Sequence, residues 1–284
     1  MSTALLLVLL ALFGLAFGSF ANVVIVRVPS GESLLHPPSK CPLCENPIAP
    51  RDNIPVISWL LLKGKCRHCA EPIPAGYPLV EVGTMVLWVL AGIRFGVDVA
   101  VVPYALLFTV LLILSVIDLE LYILPNKITY PSILVSLVVI PLLSYATLDD
   151  PPAAIWGALI GGVGFAGFLL IVLLGWELIM RKEGMGMGDV KLAILLGLWI
   201  GWLNPLLCLI ALIASSVIGL VVGVVILAVR KESRPFPFGP WLALGSIVVI
   251  LFSAPILRFY GLDEDTAMPV HSAVSTSYPV VPGQ

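Results

Sequence analysis

Long apolar runs recur along almost the whole chain, and they restrict its possible folds more than any other feature of the sequence. A helix needs about 20 consecutive apolar residues to cross a bilayer. Only 11% of the residues are charged, whereas a soluble domain carries about 25%. We therefore predict an all-α integral membrane protein with about eight transmembrane helices, at 4–26, 80–97, 100–117, 128–146, 153–179, 190–203, 205–229 and 240–260.

The basic residues indicate how these spans are oriented, because cytoplasmic loops of membrane proteins carry an excess of Lys and Arg. If the spans alternate and the N-terminus lies outside, only Arg94 and Arg258 of the 15 basic residues fall on the outer side. The first span has no basic residue before it and Arg27 directly after it. This pattern is typical of a retained anchor rather than a cleaved signal peptide.

Two carboxylates stand at the ends of predicted spans. Asp118 follows the third span, and Asp189 opens the sixth, directly after the glycine-rich segment 184–188. Each glycine weakens a helix by about 1 kcal/mol relative to alanine, but it lets two backbones approach closely. A single acid at a helix end is most simply a cap. Two acids on the same predicted cytoplasmic side favour the paired carboxylates of an aspartyl protease.

Four of the five cysteines lie between the first and second spans, in two Cys-x-x-Cys pairs separated by 21 residues. Each pair places two thiolates on one tight turn, and four thiolates complete a tetrahedral zinc site. Disulfides and plain buried thiols are the alternatives, although disulfides do not persist in the cytoplasm. The spacing predicts a structural zinc ion bound by Cys41, Cys44, Cys66 and Cys69.

These features divide the chain into four parts. Residues 1–27 form a first transmembrane anchor, and 28–79 form a small cytoplasmic zinc-binding domain. Residues 80–260 form a membrane core of seven helices. The tail 261–284 has no periodic apolar pattern and is predicted to be disordered.

Several motifs follow one another in an order that is specific as a set. They are GSFANVVIVRVP at 18–29, the two Cys-x-x-Cys pairs, NIPVISWL at 53–60, YPLVE at 77–81, DLELYILPNKIT at 118–129, GMGDVKLA at 186–193 and PFGP at 237–240. The chain resembles the bacterial type IV prepilin peptidases in these motifs, from about residue 14 to residue 250. The Gly-x-Gly-Asp motif alone is a weak signal, because intramembrane proteases of the presenilin kind share it.

The resemblance implies a bifunctional, multi-pass enzyme of the bacterial inner membrane. Such enzymes cleave the leader of type IV prepilins, and of pseudopilins of type II secretion, after a glycine at the cytoplasmic face. They then methylate the new N-terminus with S-adenosylmethionine. The resemblance assigns catalysis to Asp118 and Asp189 and the zinc site to the four loop cysteines. The expected partners are these substrates and membrane lipid, and no nucleic acid.

Two positions depart from the pattern of the resembled family. Asn126 stands where an aspartate often follows Leu-Pro, and Gly76 stands where an arginine often precedes Tyr-Pro. The first departure leaves the catalytic pair intact, and the second bears on methylation more than on cleavage. Glu81 and Arg27 are candidates for a part in methylation by position alone.

Two other functions stay open on the residues. Carboxylates inside a membrane are common in transporters, where they relay protons or bind cations. A transporter explains neither the cysteine-rich loop nor the lack of a recognisable inverted repeat in the sequence. The second alternative is a Gly-x-Gly-Asp intramembrane protease without methyltransferase activity.

Overall fold

A computed structural model describes residues 2–181, 186–230 and 237–262, and within these ranges it consists of helices and irregular segments without a β-strand. The ten helices of these ranges are α1 Thr3–Ser30, α2 Ile57–Leu61, α3 Gly76–Phe95, α4 Val101–Leu121, α5 Asn126–Thr147, α6 Pro151–Met180, α7 Met187–Leu203, α8 Leu207–Arg230, α9 Gly239–Leu251 and α10 Ser253–Phe259. The predicted tail beyond residue 262, residues 184 and 185 of the glycine-rich segment 184–188, and residues 234–236 lie outside the described residues.

Six of the described helices are long and apolar enough to cross a membrane, namely α1, α3, α4, α5, α6 and α8. The predicted all-α membrane fold is therefore confirmed. The predicted sixth span is α7, which has 17 residues. The predicted last span is broken, because α9 and α10 meet at an angle of 70°. Pro255 lies in the first turn of α10, and since proline has no N–H to donate, it prevents one straight helix from continuing through this point.

The centre of the bundle is α7, whose residues from Leu195 to Leu203 are all buried. Four glycines let α7 pack directly on α6. A Cβ on Gly157 would lie 2.7 Å from the Gly201 carbonyl oxygen, and a Cβ on Gly161 would lie 2.7 Å from the Gly201 Cα and even closer to the Gly197 carbonyl oxygen. Small residues allow such close contact between membrane helices.

The opposite face of α7 is held by hydrogen bonds to α5. The indole Nε1–H groups of Trp199 and Trp202 donate to Ser136 and Ser144, each at 2.8 Å. Buried tryptophans need such an acceptor, because an unpaired donor in an apolar interior costs free energy. The close packing on α6 and these two bonds fix α7, and therefore the position of Asp189 in its first turn.

The cysteine-rich segment and the acids lie at the same end of the bundle. Ile117, next to Asp118, packs in one buried cluster with Val24 near the end of α1 and Val80 near the start of α3. The segment that joins α1 to α3 is mostly irregular, with a 3-10 turn at Pro50–Asp52 and the short helix α2. Since α1 ends at Ser30 and α3 begins at Gly76, both helices extend into the region 28–79 that the sequence assigns to a separate domain.

Candidate active site

The two acids singled out in the sequence meet in the structure. Asp118 lies in the last turn of α4 and Asp189 in the first turn of α7, and both are buried, with 6% and 7% of their surface exposed. The distance between the two acids can be bounded from Gly239, which lies beside both of them. A Cβ built on this glycine would lie 2.6 Å from Asp118 Oδ2 and 3.4 Å from Asp189 Oδ1. These two carboxylate oxygens are therefore no further apart than the sum of the two distances, 6.0 Å.

This arrangement suits acid–base chemistry. Two neighbouring carboxylates repel each other when both are ionised, so such a pair retains one proton over a broad pH range. Asp118 Oδ2 is buried and, within the described residues, has no hydrogen-bond partner. A buried polar atom without a partner requires an explanation, and a catalytic role is one that suits a carboxylate beside a second acid.

The first turn of α7 is held against the first turn of α5 and against Leu124 just before it. A Cβ on Gly188 would lie 3.0 Å from the Leu124 Cβ, so only a residue without a side chain packs there without displacing Leu124. The Lys191 Nζ donates to Asn126 Oδ1 at 2.9 Å and lies 5.2 Å from the centre of the Tyr130 ring. Asn126, one of the two departures from the family pattern, thus connects α5 to the helix that carries Asp189.

The four loop cysteines form a second cluster. Their Sγ atoms all lie within 4.8 Å of one another, with Cys41 and Cys69 at 3.8 Å and Cys44 and Cys66 at 4.0 Å. A tetrahedral site with Zn–S bonds of about 2.3 Å places its sulfur atoms about 3.8 Å apart. The donor set and spacing therefore fit a four-coordinate metal ion.

The two halves of this cluster repeat each other. In the first, the Cys41 N–H donates to the Asn46 carbonyl and the Glu45 N–H to the Cys41 carbonyl. The second half, CRHCAEPI at 66–73, corresponds to CPLCENPI at 41–48. It makes the same two bonds, from the Cys66 N–H to the Glu71 carbonyl and from the Ala70 N–H to the Cys66 carbonyl. The sequence interpretation missed this repeat, whose signal is the shared Cys-x-x-Cys-x-x-Pro-Ile pattern.

Backbone amides and neighbouring thiols act on these sulfur atoms in opposite directions. The backbone N–H of Asn46 lowers the pKa of Cys44, and those of Cys69 and His68 lower the pKa of Cys66. The Glu71 amide lowers the pKa of Cys69, but desolvation of the thiol and the other three thiols raise it to about 12. Thiolates this close to one another require a cation to balance their charge.

Polar contacts stabilise the cysteine-rich loop, and one of them joins it to a membrane helix. The Glu81 carboxylate, on α3, accepts the Val56 N–H at 2.7 Å. The Trp59 indole donates to the Ile73 carbonyl at 3.1 Å. Arg67 makes two bonds to Asp52, at 2.8 and 2.6 Å, and they hold the pKa of the Asp52 carboxyl below its usual range.

The two residues named as candidates for methylation by position both make hydrogen bonds to the loop. Glu81 binds the loop as described, and the Arg27 guanidinium donates to the carbonyls of Ser33 and Pro37 at 2.9 and 2.7 Å. Gly239 enters the sequence analysis only as part of the motif PFGP at 237–240, yet a Cβ on it would touch both acids. That contact joins residues distant in the chain, so no local pattern indicates it.

Two family models match the chain. The bacterial peptidase A24 N-terminal domain matches residues 12–95, and the type IV leader peptidase family matches residues 105–224. The first match contains the four loop cysteines, and the second contains both Asp118 and Asp189. No solved structure matches.

Curated relatives match over most of their length. The prepilin leader peptidase/N-methyltransferase of Aeromonas salmonicida (strain A449) is 36% identical, over 89% of this chain and 92% of the relative. Those of Stutzerimonas stutzeri and Pseudomonas aeruginosa are 36% and 35% identical, over 91% and 88% of this chain and 95% and 91% of the relatives. The chain therefore belongs to the type IV leader peptidase family.

Proposed function

We propose that this protein removes the leader from type IV prepilins and then methylates the new N-terminus with S-adenosylmethionine as co-substrate. The observation that carries the proposal is the meeting of Asp118 and Asp189 at one buried point beside Gly239. Membership in the leader peptidase family and the names of the curated relatives support the choice of substrate and the second activity.

Asp118 and Asp189 are the proposed catalytic pair. The ionised member takes a proton from a water molecule, which attacks the carbonyl carbon of the scissile peptide bond. The protonated member donates a hydrogen bond to the carbonyl oxygen and then supplies a proton to the leaving amine. The two acids titrate as one unit, so the mechanism assigns the roles to the pair rather than to either residue.

The orientation follows from the basic residues. With the N-terminus outside, 13 of the 15 Lys and Arg residues face the cytoplasm, since only Arg94 and Arg258 do not. The pair and the cysteine cluster, which share one end of the bundle, then face the cytoplasm. The apolar helix of a prepilin or of a type II secretion pseudopilin lies in the lipid among the spans, and its leader junction reaches the pair at this surface.

The cysteine cluster is proposed as a structural zinc site. Cys41, Cys44, Cys66 and Cys69 fill all four positions of a tetrahedral ion, so the bound metal stabilises the loop and leaves no position for substrate. In the resembled family this region is associated with methylation. The bonds from Glu81 to Val56 and from Arg27 to residues 33 and 37 hold the folded loop on the membrane helices.

The proposal is tested with purified protein in detergent, a prepilin-like peptide and mass spectrometry, with and without S-adenosylmethionine. We expect the leader to be lost in both samples. We expect the mass of one added methyl group only in the sample that contains S-adenosylmethionine. Cleavage without the methyl mass would favour a protease that lacks methyltransferase activity. An intact peptide in both samples would contradict the proposal and return the transporter to consideration.

A further inference from the structure

Gly239 occupies a position where glycine is not required by the backbone. It is the first residue of α9, and it is not among the residues with a positive φ. Any L-residue can adopt the conformation of this position, and alanine there would favour the helix by up to about 1 kcal/mol. The reason for a glycine must therefore lie in its surroundings.

Those surroundings are the two acids. The three nearest atoms to a Cβ on Gly239 are Asp118 Oδ2 at 2.6 Å, Asp118 Cγ at 3.4 Å and Asp189 Oδ1 at 3.4 Å. A carbon atom at 2.6 Å from a carboxylate oxygen is closer than van der Waals contact allows. Because Asp118 is buried at the end of α4, its carboxyl group has little room to move away.

The helix that carries Gly239 is firmly placed. It packs against α4, which carries Asp118, against α7, which carries Asp189, and against α8. The backbone N–H of Gly239 interacts with the Asp118 carboxyl. One oxygen of that carboxyl, Oδ2, has no hydrogen-bond partner in the part of the chain that the structure describes, and it is the atom nearest to a Cβ on Gly239.

We propose that Gly239 is a positioning residue of the active site, whose lack of a side chain keeps the space between Asp118 and Asp189 open to the reacting water and the scissile peptide. The inference rests on the proposed function, because it assigns α9 a part in the same cleavage reaction. The active site is then formed by three helices, α4, α7 and α9, instead of by α4 and α7 alone.

The test compares Gly239→Ala with wild type and with Gly164→Ala, a glycine on α6 whose added Cβ would meet no atom within 4 Å. Misplacement of a reacting group by about 1 Å can cost about 100-fold in rate. We expect Gly239→Ala to lower kcat for leader cleavage by at least about 100-fold, with KM and zinc content unchanged and the thermal unfolding temperature lowered by no more than a few degrees by the added methyl group. Gly164→Ala should cleave like wild type.

Two results would overturn the inference. The first is Gly239→Ala cleaving as fast as wild type. The second is a loss of cleavage accompanied by an equal loss of zinc content and thermal stability, which would make Gly239 a packing residue. Failure of the wild-type protein to cleave in the same assay would instead refute the proposed function itself.

Discussion

The Glu81 carboxylate on α3 accepts the backbone N–H of Val56 in the cysteine-rich loop at 2.7 Å. Val56 has φ 59° and ψ −49°, and the following Ile57 N–H donates back to the Pro55 carbonyl at 2.5 Å. This is a γ-turn of the rare, strained kind, with a β-branched residue at its centre. The buried acid therefore holds a strained turn of the loop against a membrane helix.

Removal of this acceptor should loosen the loop without releasing a metal. Glu81→Ala leaves the Val56 N–H without its partner, which costs about 1–3 kcal/mol. We expect amide hydrogen exchange across residues 54–62 to become about 10-fold to 100-fold faster. Glu81→Gln retains an acceptor oxygen and should have the smaller effect. Unchanged exchange in Glu81→Ala would show that other contacts, such as the Trp59–Ile73 bond, suffice to hold the loop.

The cysteine cluster predicts one zinc ion per chain. Replacement of a single ligand leaves three thiolates and opens the site, so serine at Cys41, Cys44, Cys66 or Cys69 should lower the zinc content well below one, as measured by elemental analysis of the purified protein. Cys208→Ser is the matched control, because Cys208 is buried on α8 away from the cluster. Equal zinc in ligand and control variants would contradict the site.

Chelation provides a second measurement on the same cluster. Without the ion, the four thiols have only weak mutual contacts of 3.8–4.0 Å, and a segment with so little regular structure has few other interactions to order it. We expect a strong chelator to make the loop between α1 and α3 sensitive to limited proteolysis while the membrane helices stay intact. Added zinc should restore resistance. A loop that is equally resistant with and without the metal would indicate that its polar contacts alone maintain the fold.

Some features of this structure could be predicted from the sequence, and others could not, because they depend on contacts between distant parts of the chain. The membrane helices could be predicted from apolar runs, and the thiol cluster from the Cys-x-x-Cys spacing, because both signals lie in short stretches of the chain. The break between α9 and α10 was not predicted, although Pro255 is its local cause. The γ-turn at Val56 and the contact of Gly239 with the two acids depend on residues far away in the chain, so no local pattern reports them.

The acid pair should be indispensable for cleavage. Asparagine is nearly the same size as aspartate but neither takes up nor supplies a proton at this position, and positioned acid–base groups contribute about 10²–10⁴-fold. We expect Asp118→Asn and Asp189→Asn each to reduce leader cleavage by about 1,000-fold or more, measured by mass spectrometry of the peptide. Glu120→Gln, at an exposed carboxylate in the same turn of α4, is the control and should retain activity. Full cleavage by either asparagine variant would refute the pair.

The packing of α6 on α7 should determine whether Asp189 is held in place. Gly161 lies against the backbone of Gly197 and Gly201, so a methyl group there has no room and must push the helices apart. Overpacking of this kind costs about 1–3 kcal/mol. We expect Gly161→Ala to lower the thermal unfolding temperature by several degrees and to reduce cleavage, because Asp189 moves with α7.

The control for this substitution is Gly167→Ala, on the same helix, where an added Cβ would meet no atom within 4 Å. Since alanine favours a helix by up to about 1 kcal/mol over glycine, this variant should be as stable as wild type or more stable. The two alanines differ only in what the new methyl group touches, so their difference isolates the α6–α7 contact from helix propensity. Equal stability and equal cleavage in the two variants would show that the close contact with α6 is not needed to hold α7 in place.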